Sequence, residues 1–212
     1  MANWIAQRNE LLGKAVIANL AKRNMEGYYC ATKEEALQKA LELIPETDVV
    51  TWGGSVSIDE IGLLTAVKER NPVIDRDTAA TMEEKVEMMR KGLTCDTFLM
   101  STNAMSEDGI LVNIDGNGNR VASLIFGPKQ VVIIAGVNKI TKDLDSAIAR
   151  ARGTAAPVNA QRFAGIRVPC AATGVCANCN SPDCMCCQVV VTRHSRQAGR
   201  IKVILVGESL GF

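Results

Sequence analysis

Residues 48–60 read DVVTWGGSVSIDE, and this stretch carries the main signal of an α/β fold. Asp48–Trp52 is rich in β-branched and aromatic residues and predicts a strand. Two adjacent glycines and a serine follow as a turn. Ser57, with Glu60 three residues later, has the spacing of a capping box and predicts the start of a helix. A strand, a glycine turn and a helix in this order are typical of one βα unit.

The same alternation extends in both directions along the chain. Strands are predicted near residues 27–30, 73–74, 97–101 and 130–135, and helices near 3–24, 32–43, 57–70, 80–91, 142–152 and 158–164. Repeated βα units form a parallel sheet with helices on both faces. The length of 212 residues suits one domain, 1–212. We therefore expect an open, mostly parallel α/β sheet with flanking helices.

Two polar loops interrupt this pattern and predict antiparallel hairpins. Ile110–Ile114 and Arg120–Phe126 flank DGNGN at 115–119, where glycine and asparagine tolerate positive φ. Val189–Val191 and Ile201–Val206 flank a polar stretch that contains His194, the single histidine. We expect His194 to be a solvated loop residue. Metal sites that need two or three imidazoles are excluded within one chain, and a Ser-His or Cys-His nucleophilic pair would have to use His194.

Charge and hydropathy exclude further classes. The chain has 24 basic and 23 acidic residues, whereas a nucleic-acid-binding protein needs a basic face. No apolar run approaches the roughly 18 residues that cross a bilayer, and the first residues do not resemble a secretory signal. We expect a cytoplasmic protein without a membrane span. The N-terminal helix, residues 1–25, can dock on the body or on a second subunit, so a homo-oligomer stays an open alternative.

Polar residues at the ends of predicted strands suggest a site for a small anionic metabolite. The glycine turn presents backbone N–H groups at a helix start, which favours an anion, and open α/β sheets bind ligands at the carboxyl ends of their strands. The candidate ligand-binding residues are Gly53, Gly54, Ser55, Ser57, Asn103, Asn119, Arg120, Asn138 and Lys139. Glu60 is a weak catalytic candidate because its capping role already explains it, and turn formation likewise explains Asn119.

Six of the eight cysteines fall within residues 170–187: Cys170, Cys176, Cys179, Cys184, Cys186 and Cys187. A C-x2-C pair followed closely by further cysteines can supply four sulfur ligands to one metal. Sulfur ligands suit zinc and an iron-sulfur cluster equally. Disulfides are disfavoured in a reducing cytosol. Cys30 and Cys95 stand alone beside predicted strands, and we expect them to be buried thiols of the core.

Five motifs occur in order along the chain: GGSVSIDEIG at 53–62, NAMSEDG at 103–109, DGNGNRVA at 115–122, FGP at 126–128 and GVNK at 136–139. Together they resemble the LUD family, the lactate-utilisation domain. The resemblance covers the chain from about Glu35 to its last residues. It implies a fold similar to the sugar-phosphate isomerase and CoA-transferase group. It also implies a role in bacterial oxidation of lactate to pyruvate, beside iron-sulfur proteins as partners.

The resemblance also bears on the cysteine segment. Short members of the family carry a cysteine tail that matches Cys170, Cys176, Cys179 and Cys186. The resemblance therefore implies that these four cysteines are the metal ligands. Cys184 and Cys187 depart from the pattern and keep the choice of ligands open. The family supplies no settled catalytic residues to carry over.

Three functions stand as hypotheses at this stage. The first is a redox auxiliary of lactate utilisation that binds a small anion and carries a metal or iron-sulfur centre. The second is an isomerase-like or acyl/CoA-transfer enzyme in which zinc only braces the tail. The third is a non-catalytic subunit whose cysteine segment docks a partner protein.

Overall fold

The computed structural model describes residues 3–212 and contains two sheets. The strands are β1 (Glu26–Cys30), β2 (Val50–Trp52), β3 (Thr97–Met100), β4 (Ala104–Ser106), β5 (Leu111–Asp115), β6 (Gln130–Gly136), β7 (Ile140–Thr141), β8 (Gln188–Thr192) and β9 (Ile201–Val206). The larger sheet is parallel throughout, in the order β1-β9-β6-β3-β2. The smaller sheet is mixed, in the order β7-β4-β5-β8. The predicted mostly parallel α/β fold is confirmed, although its strands divide between two sheets.

Helices flank both sheets. They are α1 (Trp4–Lys22), α2 (Lys33–Leu43), α3 (Val56–Glu60), α4 (Leu63–Arg70), α5 (Met82–Lys91), α6 (Asn119–Ile125), α7 (Leu144–Arg150), α8 (Ala156–Ala160) and α9 (Pro169–Thr173). A π-helical turn, Ala151–Ala155, joins α7 to α8. The predicted helix 57–70 is divided because Gly62 adopts the left-handed conformation, with φ of 73°.

The central strand β6 divides the core into two layers. Val132 and Ile134 face one apolar cluster, to which α2, α3 and α4 contribute. Val131 and Ile133 face the other cluster, beneath α1 and α6. All seven residues of β6 are buried, as expected for a strand covered on both faces. Cys30 and Cys95 are buried in these clusters, which confirms them as thiols of the core.

The hairpin predicted around DGNGN is wrong in its second arm, because residues 119–125 form α6. Gly118 is left-handed, and the Asp115 carboxylate accepts hydrogen bonds from the backbone N–H groups of Arg120 and Val121, both at 3.1 Å. The loop therefore caps a helix, where we expected it to reverse a strand. An antiparallel hairpin does exist, but it pairs β4 with β5.

The second predicted hairpin is also wrong, because β8 and β9 belong to different sheets. His194 is exposed in the crossing loop, as predicted.

Helix α1 docks on the body of the same chain. Its Val16 and Leu20 are fully buried, and Gly13 lies so close to the ring of Tyr29 that a Cβ there would come within 2.4 Å of it. The outer side of the helix, including Trp4 and Ile5, stays exposed. None of the helices in residues 3–212 is long and apolar enough to cross a membrane.

Candidate functional site

A cavity of about 930 Å³, here called the crevice, opens at the carboxyl edge of the parallel sheet. Strands β2, β3 and β6 run parallel, so the segments that follow them meet at this edge. The end of β5 and part of the cysteine segment close the other side.

Most of the candidate ligand-binding residues line the crevice. They are Gly53, Gly54, Ser55, Ser57, Asn103, Asn119, Arg120 and Lys139. Asn138 lies outside it, because its side chain bonds the backbone of Leu210 and Gly211. Glu60 is also outside: its carboxylate accepts from the Gly211 N–H at 3.3 Å and pairs with Lys33 at 3.7 Å.

The capping box predicted from Ser57 and Glu60 does not form. Ser55 occupies the N-cap of α3, without a side-chain capping bond. The hydroxyl of Ser57 instead accepts a hydrogen bond from Lys139 Nζ. Ser57 is therefore part of the crevice wall, and Glu60 stabilises the last residues of the chain.

Arg120 forms a crosslink beneath the crevice. Its Nη1 donates to the Ser101 carbonyl at 3.1 Å and to Asn113 Oδ1 at 2.8 Å, while Nη2 donates to Asn103 Oδ1 at 3.1 Å and to the Ile114 carbonyl at 2.5 Å. Burial lowers its pKa, against the opposing effect of the nearby Asp115. These bonds hold the ends of β3 and β5 together, so the predicted anion partner is mainly structural.

The two glycines of the turn make room for protein side chains. A Cβ on Gly53 would lie 2.7 Å from Cδ of Arg120, and one on Gly54 would lie 3.3 Å from Nη2 of Arg76. Both glycines are among the predicted ligand-binding residues, but the structure fills the space beside Gly53 with the stem of Arg120.

Gly53→Ala is therefore expected to destabilise the protein by about 1–3 kcal/mol, because the hydrogen bonds of Arg120 prevent its stem from moving aside. Urea unfolding measures the change. Gly153→Ala is the matched control. Gly153 lies in a helical turn, and a Cβ there would meet nothing within 4 Å, so this substitution should not destabilise the protein. Equal effects of the two substitutions would contradict the crosslink.

Lys139 is a buried lysine on the crevice wall. The residue is 3% exposed, and its Nζ donates to Ser57 Oγ and Ser101 Oγ, both at 2.9 Å. Burial, then the positive charges of Arg150 and Arg120, lower its pKa to about 7. Much of this amine is therefore neutral at physiological pH.

Arg76 is the site residue that the sequence analysis missed. It follows the short segment 73–74, where Val73 bridges Val50 in parallel, so this arginine reaches the same edge as the other loops. The rule used for the other strand ends would have found it.

Unsatisfied polar atoms gather around the crevice. Within residues 3–212, four buried side-chain atoms have no hydrogen-bond partner: Trp52 Nε1, Ser55 Oγ, Arg76 Nε and Asn113 Nδ2. The first three belong to residues that line the crevice. Buried polar groups are normally satisfied, so this concentration indicates a place for a polar ligand.

Five of the six clustered cysteines line a second cavity of about 230 Å³, here called the cysteine pocket. They are Cys170, Cys176, Cys179, Cys184 and Cys186. Cys186 packs on the apolar cluster beneath the smaller sheet. Burial, followed by the charges of the other four, raises the pKa of its thiol to about 12. Cys187 is exposed, and its Sγ donates to the Cys184 carbonyl at 3.1 Å.

The thiols surround the cysteine pocket without converging on one point. In the described part of the chain, no three Cys, His, Asp or Glu side chains form a preorganised metal site. Cys184 and Met185 line both the cysteine pocket and the crevice, so the two cavities share a wall.

Comparisons with known proteins agree with this architecture. The LUD domain model matches residues 13–206. A crystal structure of a DUF162 family protein from Deinococcus radiodurans is similar, with a TM-score of 0.52 and 11% identity, over 93% of this chain and 98% of that chain. At this identity the similarity concerns the fold alone. No curated protein matches the chain in sequence.

Proposed function

Because the chain belongs to the LUD domain family, as its motifs predicted, we propose that it acts as a redox auxiliary in lactate utilisation. In this role it binds a small carboxylate in the crevice and holds an iron-sulfur centre in the cysteine pocket. The observation that carries the proposal is the wall formed by Cys184 and Met185, which separates the two cavities.

The crevice suits a small anion. Arg76 presents a buried Nε without an acceptor, 3.9 Å from the nearest oxygen of Asp77. The Ser55 hydroxyl is also buried and unsatisfied. A carboxylate accepts from guanidinium and from hydroxyl donors, so each of these groups is a suitable donor to it.

The cysteine pocket suits a sulfur-ligated centre by its donor set. Cys170, Cys176, Cys179 and Cys186 supply four thiols from two short stretches of chain, the number that zinc or an iron-sulfur cluster takes. The open arrangement of the thiols requires the segment to tighten on loading, which is common because metal binding and local folding are coupled. An iron-sulfur cluster would supply one-electron chemistry beside the crevice, and zinc would only brace the segment.

Metal analysis of protein purified without oxygen tests the centre. We expect iron and inorganic sulfide with broad visible absorption, and Cys179→Ser should lower the iron content at least about tenfold because it removes a ligand. Cys187→Ser is the matched control, since this thiol lies outside the cysteine pocket. A colourless protein loaded with zinc would contradict the redox role, and a metal-free protein would contradict any centre.

A further inference from the structure

The environment of Lys139 favours an uncharged amine, and a lysine that only binds an anion does not need to be uncharged. Its Nζ is held between the hydroxyls of Ser57 and Ser101. Among residues 3–212, no carboxylate lies within ion-pair distance of this nitrogen. An uncompensated buried cation is costly, so the group tends to lose its proton.

The charges around Lys139 act in the same direction. Arg150 and Arg120 both disfavour its protonated form, and only Glu60 opposes them. A neutral amine has a free electron pair, and desolvation beside other cations is one of the ways in which proteins make lysine nucleophilic. Lys139 lines the crevice, so a ligand bound there lies beside this side chain.

We propose that Lys139 forms a reversible imine with a small 2-oxo acid bound in the crevice. The nitrogen electron pair attacks the carbonyl carbon, the C=O π bond opens, and one amine proton passes to the oxygen to give a carbinolamine. The second amine hydrogen then passes to this oxygen, the C–O bond breaks to release water, and the C=N bond forms. Both protons in the water come from the amine, and no electrons are gained or lost. The inference rests on the proposed function for the class of ligand, a small carboxylate.

The two serines provide the proton transfers that imine formation needs. Each hydroxyl lies 2.9 Å from Nζ, within the range for direct proton exchange. Arg76 also lines the crevice, and its unsatisfied Nε is available to the ligand carboxylate. If Lys139 only linked Ser57 and Ser101, it would not have to line a cavity, and nearby arginines that disfavour its protonated form would serve no purpose.

Reductive trapping tests the imine. The full-length protein is incubated with pyruvate and sodium cyanoborohydride at neutral pH, and the modified peptide is identified by mass spectrometry. We expect Lys139 to be labelled at least about tenfold faster than the exposed lysines, because burial and the neighbouring arginines disfavour its protonated form. Lys139→Arg should abolish this label, and Lys142→Arg, on an exposed neighbour, should retain it.

The arms of the experiment separate this inference from the proposed function. L-Lactate carries the same carboxylate as pyruvate but has no carbonyl group at C2. It should therefore bind in isothermal titration and protect Lys139 from pyruvate, but form no adduct. Binding of lactate and pyruvate without an adduct on wild-type Lys139 would overturn the imine and keep the anion site. Absence of binding by both acids would overturn the site itself. Peptide mapping on the wild type decides the result even if the Lys139 variant folds poorly.

Discussion

Arg120→Met is expected to lower the free energy of unfolding by about 3–5 kcal/mol, because it leaves buried acceptors unpaired. The side chain bonds the Ser101 and Ile114 carbonyls and the amide oxygens of Asn103 and Asn113. Its Nε also lies 3.9 Å from the Asp115 carboxylate, where both side chains are largely buried. The substitution therefore removes a charge partner together with four hydrogen bonds.

Urea unfolding with Arg90→Met as the control checks this expectation. Arg90 makes an ion pair with Glu87 one helical turn away, and its side chain is 68% exposed, so its loss should change stability by less than about 0.5 kcal/mol. Arg120→Lys should fall between the two, since lysine keeps the charge but lacks the planar fork of donors. Similar stabilities of the Arg90 and Arg120 variants would show that the crosslink contributes nothing.

The position of the crevice could be predicted from sequence because it follows from topology. The glycine turn, Asn103 and Lys139 each follow a strand, and parallel strands end at one edge. The same rule reaches Arg76, which follows the strand predicted near residues 73–74. What the rule leaves out is which of these side chains bind each other, because that depends on contacts between distant loops.

The loop at 115–119 shows where local sequence is ambiguous. Glycine and asparagine suit a hairpin turn and a helix start alike, and the apolar run of α6 fits either a strand or a helix. The deciding contact is the Asp115 carboxylate with the N–H groups of Arg120 and Val121, which cap the helix. Propensity alone does not show whether that carboxylate is free to cap.

The cysteine segment shows a similar limit. Its spacing predicted a common cluster, and the structure brings five thiols to one cavity. The spacing did not reveal that Cys184 lies on the wall toward the crevice, because that depends on how the segment folds back on α8. Asn159 of α8 donates to the Met185 sulfur at 3.6 Å, which fixes this wall.

Lys139→Met is expected to change how stability depends on pH. Lysine has a pKa of 10.5 when unfolded, and here burial, Arg150 and Arg120 lower it to about 7. Between these values the unfolded chain binds more protons than the folded chain, so the wild type gains stability as pH rises from about 7 to about 10.5. The Met variant lacks this gain, and the wild type should improve relative to it by on the order of 4 kcal/mol across the window.

The pH window makes the measurement independent of the size of the substituted side chain. The Lys139→Met substitution would leave the hydroxyls of Ser57 and Ser101 without their donor, and this cost is the same at each pH. Urea unfolding at about pH 6, 8 and 10 therefore isolates the titration in the difference between wild type and variant. Lys142→Met, at an exposed lysine, should show no such gain, because the hydrogen bond with Glu107 raises the pKa of Lys142 and a raised pKa gives no stability on going to higher pH. A difference between wild type and Lys139→Met that stays constant from pH 6 to 10 would mean that Lys139 is protonated throughout, and such an amine could not act as the nucleophile.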